Sequence, residues 1–156
     1  MMQTLKADAD FTPFQVHDGD ELFPNGIFEF NVTRILEYLA NNPTDVDLVE
    51  IGVRNLDLGL SSLDGSHVQS VDISRPVILA EISPGHYNLI DGHHRVERAR
   101  QLGVSTIRAY KFSVQQHIQF LTCKKAYLSY IEYWNGKVKL FRQTEKAEQE
   151  RCTATR

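Results

Sequence analysis

Pro76-Val77-Ile78-Leu79-Ala80-Glu81-Ile82, then Ser83-Pro84-Gly85-His86, then Tyr87-Asn88-Leu89-Ile90, then Asp91-Gly92-His93-His94-Arg95 run on without a break. This stretch decides the fold. It reads as an apolar run of strand type, a turn, a second short run, and a polar cluster that opens a helical pattern. Pro84-Gly85 suits the two central positions of a type II turn, proline fixing φ and glycine supplying φ > 0. The spacing therefore predicts a β-hairpin over 76–90. The pattern Val96-Glu97-Arg98-Ala99-Arg100-Gln101-Leu102 predicts a helix over 93–102, stopped at Gly103. Thr106 to Phe112 alternates and predicts a further strand.

The corner between hairpin and helix carries the chemistry. A helix start presents N–H groups without intrahelical partners and the positive end of the helix dipole. Two imidazoles and a guanidinium, from His93, His94 and Arg95, are added at the same point. That combination suits an anion, phosphate above all.

Working outward, Gly26 to Phe30 reads as a short strand and Asn31 as the N-cap of a helix. Val32, Ile35, Leu36 and Leu39 form the core stripe of that helix, and Asn41-Asn42-Pro43 ends it. Between 46 and 66, Val46, Leu48, Val49, Ile51 and Val53 suggest extended structure until Asn55–Gly59 breaks the pattern, and Asp64-Gly65 marks a turn. Val68 to Ser74 alternates and is expected as a strand or the approach to one. Ser113 is expected to cap a long helix with Val114, Ile118, Leu121, Leu128 and Ile131 along one side. Asn135-Gly136 ends it as a C-cap, or else turns a hairpin between Tyr130–Trp134 and Lys137–Phe141. Residues 1 to 12 and the charged, aliphatic-poor segment 144–156 are expected to be poorly ordered, leaving one domain over 1–143.

Composition narrows the function classes. At 156 residues with 42% hydrophobic content, the chain can bury a core without disulfide staples. A net charge of −3 provides no global basic field, which disfavours DNA as a partner. Cys123, in a helical pattern, and Cys152, in the polar tail, are isolated, so a disulfide framework is not expected and a reducing, cytoplasmic setting is. No run is long and apolar enough for a membrane span, and the first residues lack the apolar region of a signal peptide.

The order Pro-Val-Ile-Leu, then Tyr-Asn-Leu-Ile-Asp-Gly-His-His-Arg-Val-Glu-Arg-Ala-Arg-Gln-Leu-Gly, within residues 76–112, resembles the ParB/sulfiredoxin-like (ParB-like nuclease) domain family. The resemblance implies a compact α+β fold, a small mixed sheet with flanking helices and a long C-terminal helix. It also implies a box that binds nucleotide phosphates at a helix N-terminus. Sulfiredoxins carry a catalytic cysteine where this chain has His93. The ParB-type partition proteins bind and hydrolyse CTP, place arginines in the box, and follow it with a helix-turn-helix; here His94 replaces the first of those arginines. The box is closest to that of the free-serine kinases, which reads Asp-Gly-His-His-Arg and matches Asp91 to Arg95 in full. Those kinases also carry an acid on an early strand before a helix. Glu29 matches it, although the histidine that usually precedes the acid is Phe28 here.

The site residues follow. Arg95 offers a planar fork of donors to phosphate. His94 donates to phosphate or shuttles a proton. His93 lies about 100° around the helix from His94, so the two cannot face a ligand equally; His94 ranks first, and His93 is a second cofactor-binding candidate or a support for the loop. Gly92 lets the backbone approach a phosphate or adopt φ > 0. Asp91 holds Mg²⁺, takes a substrate proton, or caps the helix. Glu29 is the candidate base. A transition-metal site at the adjacent histidines is disfavoured, with His86 a distant third ligand. Tyr127, Tyr130, Tyr133 and Trp134 are expected to pack rather than stack on a base. The expected activity is Mg²⁺-dependent phosphoryl transfer or nucleotide hydrolysis, with ATP, ADP or CTP and a small-molecule phosphoryl acceptor. The alternatives are a nuclease or DNA-binding module, or a non-catalytic interaction domain.

Overall fold

The computed structural model describes residues 3–25, 28–58, 63 and 65–154. In chain order the elements are β1 (Leu22–Asn25), β2 (Phe28–Asn31), α1 (Val32–Asn41), β3 (Asp47–Gly52), α2 (Gly65–Ser70), β4 (Val77–Ser83), β5 (His86–Asp91), α3 (His93–Gln101), β6 (Thr106–Phe112), α4 (Val114–His117) and α5 (Lys124–Ala154). Single 3₁₀ turns follow β3 at Val53–Asn55 and α4 at Ile118–Phe120. The fold is α+β, built on a mixed sheet of order β3-β6-β4-β5.

The hairpin, helix and strand expected between 76 and 112 all form. β4 and β5 pair antiparallel, and Gly85 takes φ 77° in the turn. α3 then crosses back over the sheet, so that β6 lies parallel to β4. The alternation along β4 explains why both of its faces are apolar. Ile78 and Ala80 enter one core with Phe28, Phe30, Ile35, Phe112 and α5 residues. Val77 and Leu79 enter a second core with Val53, Leu89, Val96, Ala99 and Ile107. A strand buried on both faces reads as a continuous apolar run, which is what 77–80 shows.

α1 starts as expected. The Asn31 side chain accepts from the Arg34 N–H at 3.2 Å, and Val32, Ile35 and Leu39 are buried. Asn31 is itself buried and hydrogen-bonds Asp20 through its amide at 3.3 Å. Asn31→Ala is expected to lower stability by about 1–2 kcal/mol, read as a lower urea midpoint at unchanged m-value. No change would show that the cap does not hold α1. The expected strand at 26–30 appears as β2; Gly26 and Ile27 lie outside the described residues, as does Asp64 of the expected Asp64-Gly65 turn.

Four expectations are corrected. Residues 65–70 form a helix, not a strand: Val68 is buried and Gln69 accepts from Arg98 of α3 at 3.1 Å, so the segment packs on a helix. The helix after Ser113 breaks at Leu121–Cys123. There Leu121 bridges Phe30 and the Thr122 N–H donates to the Glu29 carbonyl at 3.0 Å, a strand-like attachment that helical backbone cannot make. Cys123 therefore precedes α5, where its Sγ accepts from the Ala126 N–H at 3.3 Å; Cys152 lies on α5. Leu128 is exposed, and the buried side of α5 is Ala126, Tyr127, Tyr130, Ile131, Trp134 and Val138.

The third correction is that α5 continues through Asn135-Gly136 to Ala154, with neither a C-cap nor a hairpin there. The segment expected as a disordered tail is its solvated end, rich in the helix formers Glu, Lys, Gln and Ala. The fourth is that the N-terminal segment is anchored despite having no regular structure. The Asn135 carboxamide accepts from the Leu5 N–H at 2.7 Å and donates to the Leu5 carbonyl at 2.9 Å. Trp134 Nε1 donates to the Gln3 carbonyl at 2.8 Å, the Asp8 N–H donates to the Tyr127 hydroxyl at 2.9 Å, and Phe11 stacks on Tyr127 at 3.8 Å. Among the described residues no helix is long and apolar enough to cross a membrane.

Candidate phosphate cleft

Gly92 turns the chain from β5 into α3 with φ 103° and ψ 23°, a conformation that strains residues with a Cβ. Space imposes the same choice. A Cβ built at Gly92 would lie 2.5 Å from Val77 Cγ1 and 2.8 Å from an Arg95 guanidinium nitrogen. The close approach brings Arg95 under the corner. Arg95 is 8% exposed, and its Nη2 donates to Asp91 Oδ2 at 3.0 Å. Its Nε is buried with no partner among the described residues, a donor whose desolvation is uncompensated until an acceptor reaches it.

This corner opens into a cleft of about 390 Å³. Asp91, Gly92, His94 and Arg95 line it from the expected box, joined by Glu21, His67, Asp72 and Arg75. His94 and His67, from α3 and α2, meet edge to face at 4.4 Å. Asp91 pairs with Arg95 rather than being free to neutralise the helix start. Asp72 is held below the usual carboxylate range, first by the Ser74 hydroxyl and N–H and then by Arg75 and Arg95. The Glu21 carboxyl is pushed up by partial desolvation and by the charge of Asp91, against the pull of Arg95 and Arg75.

Two box residues part company. His94 faces this cleft, whereas His93 turns to the other side of the corner and stacks on Phe23 at 5.1 Å and 24°. Burial lowers the pKa of His93, against the pull of Asp91. Glu29 does not line the cleft: its Oε1 accepts from the Thr122 hydroxyl at 2.8 Å, and its flanking rings Phe28 and Phe30 are both buried. The acids that line the cleft are Asp72, Asp91 and Glu21, the last of these one residue before β1. Its carbonyl accepts from the Val32 N–H at 2.9 Å and its N–H donates to the Thr33 hydroxyl at 2.7 Å, fixing it at the start of α1. Glu21, His67 and Arg75 were not singled out from the sequence, because they join the box only through folding. Tyr127, Tyr130 and Trp134 are buried and pack, as expected.

Among the described residues no group of three or more His, Cys, Asp or Glu side chains converges as a metal-ligand set. The fit for Mg²⁺ is of a different kind: one or two carboxylates beside a phosphate site, with water and phosphate oxygens completing the shell. Asp91 is such a carboxylate, with Glu21 near enough for the charge of Asp91 to raise its pKa. Set against protein-family models, curated proteins and solved structures, the chain matches none.

Proposed function

We propose that the chain is a ParB/sulfiredoxin-like domain that binds a nucleoside di- or triphosphate at the Gly92–Arg95 corner and transfers its terminal phosphoryl group to a small acceptor or to water. The observation that carries this reading is the left-handed Gly92 directly above buried Arg95 at the start of α3, in a cleft shared with Arg75 and His94. Phosphoryl transfer asks for placed positive charge and a positioned nucleophile more than for covalent chemistry by the protein. Arg95 and Arg75 neutralise phosphate oxygens, and His94 donates to them. Mg²⁺, held by Asp91, would screen the charge between phosphates and carboxylates. Glu21 takes the proton of the attacking hydroxyl as its oxygen bonds to phosphorus and the bridging P–O bond breaks.

Titration calorimetry with ATP, ADP and CTP, with and without Mg²⁺, tests the reading. Saturable binding is expected, weakened about tenfold or more in Arg75→Ala, since a charged hydrogen bond contributes about 1.5–3 kcal/mol. Arg75 is exposed, so its variant should keep the fold. Arg95→Ala is expected to lose more than tenfold in turnover. Absence of heat with every nucleotide would overturn the proposal in favour of a DNA-binding or protein-interaction role.

A further inference from the structure

A second cleft, of about 280 Å³, lies on the other side of the same corner. Its composition is the opposite of the first. Among the described residues no lysine or arginine lines it. Its walls are three aromatic rings, Phe23, Tyr87 and His93, and three carboxamides, Asn25, Asn55 and Asn88. Leu56, Leu58 and Leu89 supply apolar surface, and Asp57 the one carboxylate. Lys111 Nζ stands over the Tyr87 ring, 4.3 Å from its centroid. With no cation in its own described lining, the cleft suits a flat, uncharged heterocycle better than a phosphate. Phe23 and His93 already stack on each other, and a base would extend that stack from an outer face, while each carboxamide offers both a donor and an acceptor to the edge of a base.

The two clefts share a divider. His93 lines the second and His94 the first, and consecutive Cα atoms are about 3.8 Å apart. Asn88 and Leu89 on β5 line the second cleft, while Asp91 and Gly92 at the end of the same strand line the first. One molecule with an anionic end and an aromatic end can therefore straddle the corner.

We infer that the cleft of Phe23, Asn55, Tyr87, Asn88 and His93 receives the base of the nucleotide whose phosphates bind at Gly92–Arg95. The inference rests on the phosphate reading above and assigns the rest of the ligand. It makes His93 a contact residue for the base rather than only a support for the loop.

The test compares two probes on three proteins. Inorganic tripolyphosphate carries the charges without the base; ATP and CTP carry both. Wild type, Asn55→Ala and Asn88→Ala are titrated with each in the presence of Mg²⁺. Both asparagines are exposed, so neither variant threatens the core. The expected result is that tripolyphosphate binds all three proteins alike, whereas the better-bound nucleotide loses about fivefold or more in affinity in each variant. If tripolyphosphate and nucleotides bind but neither variant changes the nucleotide affinity, the base subsite is wrong and the phosphate site stands. If tripolyphosphate and nucleotides both fail to bind wild type, the phosphate reading falls and the base subsite falls with it.

Discussion

Gly92→Ala is expected to destabilise the protein by about 2–5 kcal/mol and to abolish anion binding in whatever folded fraction survives. Two costs combine. A residue with a Cβ in the left-handed region costs about 1–2 kcal/mol, and forcing an extra methyl into a packed core typically costs about 1–3 kcal/mol. The second cost is firm because Val77, whose Cγ1 would lie 2.5 Å away, is wholly buried in the middle of the sheet and has nowhere to go. The other neighbour is the Arg95 guanidinium, the group that would hold the phosphate, so relief on that side displaces it. Gly85→Ala is the control. It also has positive φ, 77°, but a Cβ there meets nothing within 4 Å. Its cost should stay near the backbone component alone, about 1 kcal/mol. Urea denaturation of both variants separates the two contributions. Equal midpoints would show that the Val77–Gly92–Arg95 contact is not as tight as described.

The second large effect is a loss of stability in mild acid, centred on His117. Its ring is wholly buried between Phe30 and Tyr130. Nε2 donates to the Glu81 carbonyl at 2.6 Å, which also accepts from the Tyr130 hydroxyl, while Nδ1 has no partner among the described residues. An imidazolium would leave its second N–H charged and unsatisfied in that core, and burial pushes the pKa down to about 4. The unfolded chain binds this proton near the ordinary value of about 6.5. Between pH 6.5 and 4 the unfolded state therefore holds more protons than the folded state, so stability is complete above that window and falls as pH drops through it. The loss between pH 7 and pH 4.5 should be roughly 2 kcal/mol, given about 1.36 kcal/mol per pKa unit. His117→Phe cannot titrate at this position and should make this part of the profile shallower, the slope that remains coming from His93, whose pKa burial also lowers. The depressed carboxylates Asp20 and Asp72 act mainly below the window, so they do not mimic the effect. Parallel profiles for wild type and variant would remove His117 from the account.

The stretch 76–112 was legible because every signal in it is local: period-two alternation, a Pro-Gly turn, a helix start and a glycine stop agree with one another. The same local reasoning placed the cleft at 91–95 and divided His93 from His94 by the helical angle alone. It failed where distant partners decide. Asn135-Gly136 carries a turn signature, yet the Asn135 side chain is engaged with Leu5 and the helix passes through. Val68–Ser74 alternates, but α3, not a neighbouring strand, lies next to Val68 and Gln69. Glu29 is the candidate base because it matches the acid that the free-serine kinases carry on an early strand. In the fold it accepts from Thr122 instead, and nothing near Glu21 in the sequence announces that its carboxylate approaches Asp91 across some seventy residues.

The strap formed by residues 3–11 has a consequence for the order of folding. Its anchors on α5 join positions up to 131 apart in the chain, so they reward closure of nearly the largest loop the molecule contains. The β4–β5 turn, α3 and β6 can assemble from near neighbours. The strap gains nothing until α5 is already seated. It should therefore dock last and detach first, making the N-terminal amides the fastest to exchange with solvent deuterium in the native protein. The chain thus closes like a buckle, with its first residues fastened after the body they hold has taken shape.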